Sequence, residues 1–426
     1  MSHHLVQTGY AALVDRINRS PQGAAPSDLL YQILKILFRE REAALVSCLP
    51  IKPFTVEKAA AIWRMKTGEA QKILDDLSGR AILLDMEDDD KQTYILPPPM
   101  AGFFEFSMMR IRGDVDQKAL SELFYEYLNV EEDFIKDLFT EGETHLGRVF
   151  VQEAVLPPEI ALCVLDYERA GEVIRTASHR GISLCYCRHK MQHLDRNCQA
   201  PLEICMTFNG SAQSLIKHGH ARSVDTAECL DLLAKACDLG LVQFGSNVRQ
   251  QVSFICNCCG CCCEAMIAAR RFGHLHPVHT TNYLPILTAA SCTGCGRCVT
   301  ACPVEAMALV SANDARQPKK KRAFLREERC LGCGICIRSC RERSLTLTAR
   351  KERVLTPLNT AHMGVVMAIE RGKLHELIFD NKALASHRAM AAILGVILKL
   401  PPVKQALASR QMKSRYLEAL IRRFAS

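Results

Sequence analysis

The chain has 426 residues, of which 48% are hydrophobic, and a formal net charge of +8. A sizeable core can therefore be buried, which excludes a broadly disordered chain, and the length predicts three or four domains. The mildly basic net charge is compatible with an acidic protein partner, an anionic ligand or nucleic acid, and does not distinguish among them. Eighteen of the 22 cysteines lie in tight clusters between Cys185 and Cys340, a distribution typical of metal ligands.

The N-terminal segment has no apolar stretch followed by a cleavage site, so we expect a cytoplasmic protein. Many exposed thiolates would be oxidised readily in air, which favours an anaerobic source. No apolar run is long enough to cross a bilayer, and the nearest is 390–400. The cysteine clusters in a chain of this kind indicate metal binding rather than a disulfide framework.

Residues 26–98 are predicted to form helices followed by a strand hairpin. "SDLLYQILKILF" begins with a helix cap at Ser27 or Asp28, and "TVEKAAAIWRM" and "GEAQKILDDLSGRAILLDM" predict two further helices and a strand. "EDDDKQ" would form the tip and "TYILPP" the returning strand. This pattern resembles a winged helix.

A DNA-reading winged helix carries a basic face, and this one is acidic where DNA would lie. The would-be recognition helix and the hairpin tip carry Glu69, Asp75, Asp76, Glu87, Asp88, Asp89 and Asp90. These carboxylates would repel phosphates, so we predict a protein-interaction domain over 1–100 and do not expect DNA binding. After it, "DQKALSELFYEYLNVEEDFIKDLF" predicts one long amphipathic stretch in a helical connecting region, 101–180.

The region 181–284 holds ten clustered cysteines, and we predict that it is a helical, cysteine-rich domain. Cys185 and Cys187 in "GISLCYC" would face the same side of an extended strand, and Cys198 and Cys205 could fold back towards them. Four thiolates at one site suit either an iron–sulfur cubane or a zinc ion.

The stretch "CNCCGCCC" places six cysteines in eight positions, with Gly260 supplying a turn. These are Cys256, Cys258, Cys259, Cys261, Cys262 and Cys263. Adjacent cysteines generally point apart, so all six cannot ligate one cubane. Either two metal sites share the stretch, or some of its thiols lie beside the ligands or are redox-active. The alternative is that these cysteines form disulfides or have a structural role.

An internal duplication follows at "SCTGCGRCVTACPVEAMALV" (291–310) and "RCLGCGICIRSCRERSLTLT" (329–348). Both copies have the spacing C-x-x-C-x-x-C-x-x-x-C, with matching glycines and a short apolar strand. Zinc also binds paired cysteines, but two triplets with a remote fourth cysteine fit zinc poorly. The segment 285–350 therefore resembles a bacterial-type ferredoxin domain with two [4Fe–4S] clusters.

The resemblance implies a ligand set for each cluster, with the fourth thiolate taken from the other half. One cluster would use Cys292, Cys295, Cys298 and Cys340. The other would use Cys330, Cys333, Cys336 and Cys302. Pro303 matches the family pattern after Cys302, whereas Arg341 replaces the second proline and brings positive charge near one cluster.

The insert between the two halves is basic at Lys319, Lys320, Lys321 and Arg322. These side chains could steer an acidic partner, and a solvated hairpin tip is the simpler interpretation. From 351 to 426 we predict a helical, basic region. Its amphipathic end could contact a partner or a membrane surface, although a solvated helix is the simpler expectation.

Much of the chain also resembles a family of cytoplasmic, multi-cluster ferredoxin-like proteins of anaerobes. The resemblance rests on "CYCRHKMQHL", "FICNCCGCCC", "GFFEFSMMR" and "HLHPVHTTNYLP". It implies iron–sulfur binding and electron transfer, with one or two clusters beyond the ferredoxin pair. His274, His276 and His279 could act as ligands, but packed or solvent-facing histidines are the simpler interpretation.

The sequence contains no P-loop, no dinucleotide fingerprint, no hydrolase elbow and no sign of a flavin site. Taken together, the motifs predict an α+β protein that carries low-potential single electrons to a partner redox enzyme. An electron carrier is favoured over a stand-alone catalyst. Two alternatives remain: an iron–sulfur redox sensor that regulates transcription through the winged helix, and a cluster-based oxidoreductase acting on a thiol or disulfide.

Overall fold

The computed structural model describes residues 9–88, 91–275, 277–314 and 317–379. Its helices are α1 Gly9–Arg19, α2 Asp28–Leu37, α3 Glu40–Ser47, α4 Val56–Trp63, α5 Thr67–Gly79, α6 Phe104–Phe106, α7 Gln117–Tyr125, α8 Asp133–Thr140, α9 Pro158–Ala161, α10 Ala170–Thr176, α11 Tyr186–His193, α12 Asn209–Lys217, α13 Thr226–Asp238, α14 Glu264–Arg271, α15 Arg297–Ala301, α16 Ile335–Arg338, α17 Thr360–Glu370 and α18 Leu374–Ile378.

The strands are β1 Leu84–Asp88, β2 Lys91–Ile95, β3 Gly147–Val149, β4 Arg180–Leu184, β5 Glu203–Phe208, β6 Arg222–Ser223, β7 Val242–Ser246, β8 Phe254–Cys258, β9 Tyr283–Leu287, β10 Met307–Ser311, β11 Lys321–Leu325 and β12 Leu345–Ala349. The protein is thus a mixture of helix and sheet. The chain divides into two compact units. The first takes the described residues up to 144, residues 210–221 and the described residues from 359, and the second takes 145–209 and 222–358.

The first unit is helical with a single strand hairpin. Ser27 caps α2, its Oγ accepting a hydrogen bond from the Leu30 amide at 3.2 Å, as the sequence predicts. The predicted helices α4 and α5 and the hairpin of β1 and β2 are present. Residues 89–90 at the hairpin tip lie outside the described residues. The order of helices and hairpin follows the predicted pattern.

An aromatic cluster forms the core of this unit. The Phe104 ring lies 4.9 Å from Phe103 and 5.0 Å from Phe124, and Tyr127 stacks on Phe134 at 5.2 Å. The predicted long amphipathic stretch is broken into α7 and α8. The break lies at Glu132, whose φ of 63° is incompatible with a continuous helix.

The second unit is built on a six-stranded antiparallel sheet with the order β3-β7-β8-β5-β4-β6. The expectation of a helical cysteine-rich domain is therefore corrected: its ten clustered cysteines lie within β5 and β8, in the segments that follow β4 and β8, and in the loop before β5. Short apolar runs such as "EICMTF" suit a buried strand as well as a helix, and only their pairing decides between the two.

The second unit also contains two small strand pairs. Strand β9 pairs with β12, and β10 pairs with β11, both antiparallel. The C-terminal region begins with α17 and α18, and its predicted helical tail from 380 lies outside the described residues. No helix among the described residues is both long and apolar enough to cross a membrane.

Candidate metal centres

The duplicated cysteine motifs form two matching halves in the second unit. In each half a three-cysteine loop leads into a short helix, α15 or α16, and then into a strand. The first strand of the repeat pairs with the last, Leu287 opposite Leu345, and the two middle strands pair with each other. This arrangement brings the end of each half next to the start of the other.

Two cavities result, and each is lined by four cysteines. The first cavity is lined by Cys292, Cys295, Cys298 and Cys340. The second cavity is lined by Cys302, Cys330, Cys333 and Cys336. Each cavity thus combines three cysteines of one half with one of the other, which is the grouping that the ferredoxin resemblance implies.

Backbone amides point at several of these sulfur atoms. The amide of Ala306 donates to Cys302 Sγ at 3.2 Å, and that of Ser344 donates to Cys340 Sγ at 3.4 Å. Burial raises the pKa of Cys330 to about 11 and that of Cys333 to about 12. A bound metal cation would offset the cost of ionising these buried thiols, because coordination deprotonates a thiol outright. The apolar walls and the amide donors suit an anionic cluster.

The first cavity is the more accessible of the two. Cys295 is exposed, whereas Cys330 and Cys336 of the second cavity are buried. Lys319, Lys321 and Arg322, which belong to the predicted basic insert, are exposed at the β10–β11 hairpin. Lys320 pairs with Asp314 at 3.6 Å, and Arg341 is exposed.

The ten upstream cysteines are positioned by two adjacent strands and by two helix starts. Strand β4 ends at Leu184, so Cys185 precedes α11 and Cys187 lies in its first turn, not in an extended strand. Strand β5 pairs with β8, and this pairing brings Cys205 Sγ within 3.6 Å of Cys256 Sγ. Cys263 is the capping residue of α14.

Six of these thiols form a continuous series, which we call the six-thiol group. In order of contact they are Cys205, Cys256, Cys258, Cys263, Cys187 and Cys185. Cys258 Sγ and Cys263 Sγ lie 3.1 Å apart. Hydrogen bonds with Cys205 and Cys258 hold the pKa of Cys256 well below its ordinary value. Hydrogen bonds with Cys187 and Cys258 do the same for Cys263.

The other four thiols form a separate four-thiol group: Cys198, Cys259, Cys261 and Cys262. Their Sγ atoms all lie within 4.8 Å of one another, and those of Cys261 and Cys262 are 3.7 Å apart. A hydrogen bond with Cys262 lowers the pKa of Cys259 to about 4. Cys262 is buried and Cys261 is exposed, so the group reaches the surface on one side.

The structure therefore divides the upstream cysteines differently from the expected set of Cys185, Cys187, Cys198 and Cys205. Cys198 joins the "CCGCCC" turn, while the other three join β8 and the start of α14. Two groups of thiols share the "CNCCGCCC" stretch. The neighbours Cys262 and Cys263 point into different groups, as adjacent side chains generally do, but Cys261 and Cys262 converge.

Arg188 lies close to both groups, and its position among the cysteines in the sequence already suggests that its charge stabilises thiolates. It is fully buried on α11 and donates to the carbonyl of Pro201 at 2.6 Å and to that of Asn257. Although burial opposes it, the thiolates of Cys185 and Cys259 raise the pKa of Arg188 above its ordinary value. Its neighbour Lys190 forms a buried ion pair with Glu264, which joins α11 to α14.

The remaining candidates lie outside these groups. His279 packs against His145, with ring centroids 4.8 Å apart, and no histidine belongs to a group of close metal-ligand atoms among the described residues. His276 lies outside the described residues, as does the side chain of His274. Cys48 and Cys163 are exposed single thiols, and Cys229 and Cys237 lie on α13.

Comparison with known families identifies a 4Fe-4S dicluster domain at residues 291–343. The match covers all eight cysteines of the duplicated motif. Comparisons with curated proteins and with solved structures give no significant match. The dicluster domain and the clustered cysteines indicate a role in iron–sulfur electron transfer.

Proposed function

We propose that this protein carries single electrons through two [4Fe–4S] clusters to a partner redox protein. The observation that carries the proposal is the pair of cavities, each with four cysteine thiols contributed by both halves of the repeat. In this proposal the first cavity holds a cluster through Cys292, Cys295, Cys298 and Cys340. The second holds one through Cys302, Cys330, Cys333 and Cys336.

The two proposed cluster sites share one buried core. Cys298 and Cys336, one from each ligand set, belong to the same buried core with Met307, Ala323 and Leu345. A shared apolar core excludes water between the clusters, so little solvent must reorganise when an electron moves. Electrons would leave through the first cavity because Cys295 is its exposed ligand.

The exposed basic side chains at the β10–β11 hairpin support an acidic partner. Gly294, which lies between Cys292 and Cys295, packs directly against the backbone of Lys321. The hairpin cations therefore lie beside the more exposed cavity, where they would steer a negatively charged protein and accelerate its association.

The six-thiol group extends the proposal to a further iron–sulfur centre. Six thiols exceed the four that one cubane requires, and they are buried or half-buried beside the cationic Arg188. Only neighbouring thiols of the series lie close together, and no three of the six are all within 4.8 Å of one another, so a multinuclear anionic centre fits this donor set better than a single ion does. The number of centres is therefore proposed to be at least three.

The acidic face of α5 gives no support to transcriptional regulation. Glu69, Asp75 and Asp76 are exposed, and only Asp76 is paired by a salt bridge, with Arg80 at 2.9 Å. We propose instead that the N-terminal helices and hairpin serve protein–protein contact.

The proposal is tested by anaerobic purification of Cys295→Ala, Cys333→Ala and the control Cys163→Ala, whose thiol is exposed and isolated. Each of the first two variants should lose up to about four irons per chain and the EPR signal of one reduced cluster. The rate at which the photoreduced protein reduces a one-electron acceptor such as cytochrome c should fall in both and stay unchanged in the control. Unchanged rates in both ligand variants would disprove the proposed electron path.

A further inference from the structure

The four-thiol group has the spacing of ligands around one ion. In a tetrahedral site with metal–sulfur bonds of about 2.3 Å, neighbouring sulfur atoms lie roughly 3.8 Å apart. In a cubane each thiolate binds a different iron, so terminal sulfur atoms lie roughly 6 Å apart. The observed limit of 4.8 Å for all pairs, and 3.7 Å for Cys261 and Cys262, agrees with a single ion and leaves no room for a cubane.

The ferredoxin-type cysteines of the same protein give an internal comparison. Those eight line two cavities and form no set of three or more whose sulfur atoms all lie within 4.8 Å of one another. Within the described ranges, the four-thiol group is the one set of three or more ligand residues whose donor atoms all lie this close together. The two kinds of site thus differ in geometry within one structure.

The charge around the group also suits one divalent ion. Four thiolates and a divalent cation carry a net charge of −2, and the buried guanidinium of Arg188 hydrogen-bonds with Cys259 and offsets part of it. Thiolate sulfur selects thiophilic ions such as zinc or ferrous iron over magnesium or calcium. Exposed Cys261 provides a route by which the ion can enter from solvent.

We propose that Cys198, Cys259, Cys261 and Cys262 bind a single thiophilic divalent ion, zinc or iron, in a tetrathiolate site separate from the iron–sulfur clusters. The ion joins the loop between α11 and β5, which supplies Cys198, to the turn between β8 and α14, which supplies the other three. It thereby fixes the turn whose neighbouring cysteines belong to the six-thiol group. Its role is structural, and electron transfer through the ferredoxin-type clusters does not depend on it.

The test is metal analysis of the full-length protein and of Cys198→Ala, Cys261→Ala and the control Cys163→Ala, all purified without oxygen. We expect each of the first two variants to lose about one ion per chain while the EPR signals of the reduced clusters persist. Loss of zinc would identify zinc, and loss of one iron, together with the high-spin ferric EPR signal that appears after oxidation with ferricyanide, would identify iron. Loss of three or four irons, or no loss of any metal, would overturn the proposal.

A second measurement uses the unaltered chain and does not depend on how the variants fold. Protein produced with cobalt should show the intense visible d–d absorption of tetrahedral cobalt together with sulfur-to-cobalt charge-transfer bands. Absence of these bands from the cobalt-loaded protein would overturn the proposal. Either failure leaves the electron-transfer proposal intact, because that depends on Cys295 and Cys333.

Discussion

Gly260 lies outside the ferredoxin-type motif, but one methyl group added at this position should disturb Cys302, a proposed cluster ligand. A Cβ at this glycine would lie 2.6 Å from the carbonyl oxygen of Pro303 and 3.0 Å from its Cα. Ordinary van der Waals contact begins at 3.4 Å, so Gly260→Ala requires the two backbones to separate by about 0.8 Å. Pro303 directly follows Cys302, which lines the second cavity.

The expected loss of stability follows from the atoms that clash. The clash is with backbone, which cannot rotate away as a flexible side chain can, so we expect a loss of about 1–3 kcal/mol in the free energy of unfolding. Because the displacement reaches Cys302, the iron content and the EPR signal of the second cluster should fall while those of the first cluster persist.

The assay compares Gly260→Ala with Gly113→Ala, at which an added Cβ meets nothing within 4 Å. Iron per chain, EPR of the reduced protein and the denaturant midpoint are measured for both. If Gly260→Ala matched Gly113→Ala in all three, the close approach of the "CCGCCC" turn to Pro303 would be refuted as a constraint on the second cluster.

Two further predictions concern buried titratable groups of the first unit. Burial lowers the pKa of His220 to about 4. Its neutral form therefore contributes about 2–3 kcal/mol to the free energy of unfolding above pH 6.5, and this contribution is lost as the pH falls towards 4. His220→Gln should flatten the decrease in denaturant midpoint between pH 7.5 and 5.5, and a slope equal to that of the unaltered protein would contradict the assignment. Although burial opposes it, hydrogen bonds from His218, Lys217 and Ser214 hold the pKa of Asp85 well below its ordinary value. Asp85→Asn should therefore lower the free energy of unfolding by about 2 kcal/mol at pH 7, a figure already reduced for the exposure of Lys217 to solvent. The difference between the variant and the unaltered protein should shrink below about pH 4. Equal denaturant midpoints at pH 7 would show that the carboxylate is not needed.

The sequence by itself determined the features that depend on neighbouring residues. The C-x-x-C-x-x-C spacing predicts the duplicated motif of the dicluster domain because three thiols of one tight loop can converge whatever the rest of the chain does. Ser27 predicts the start of α2 for the same reason, since a cap contacts an amide only three residues away. The acidic character of α5 could also be read directly from the residue types.

Tertiary structure alone decided how the ten upstream cysteines are divided. Cys205 meets Cys256 because β5 pairs with β8, and Cys198 meets the "CCGCCC" turn because the loop after α11 folds over it. These contacts join residues about 50 to 60 positions apart, and spacing along the chain carries no information about them. The burial of Arg188 depends on tertiary structure in the same way: a cationic side chain is ordinarily exposed, and only the packing of α11 against both thiol groups buries it.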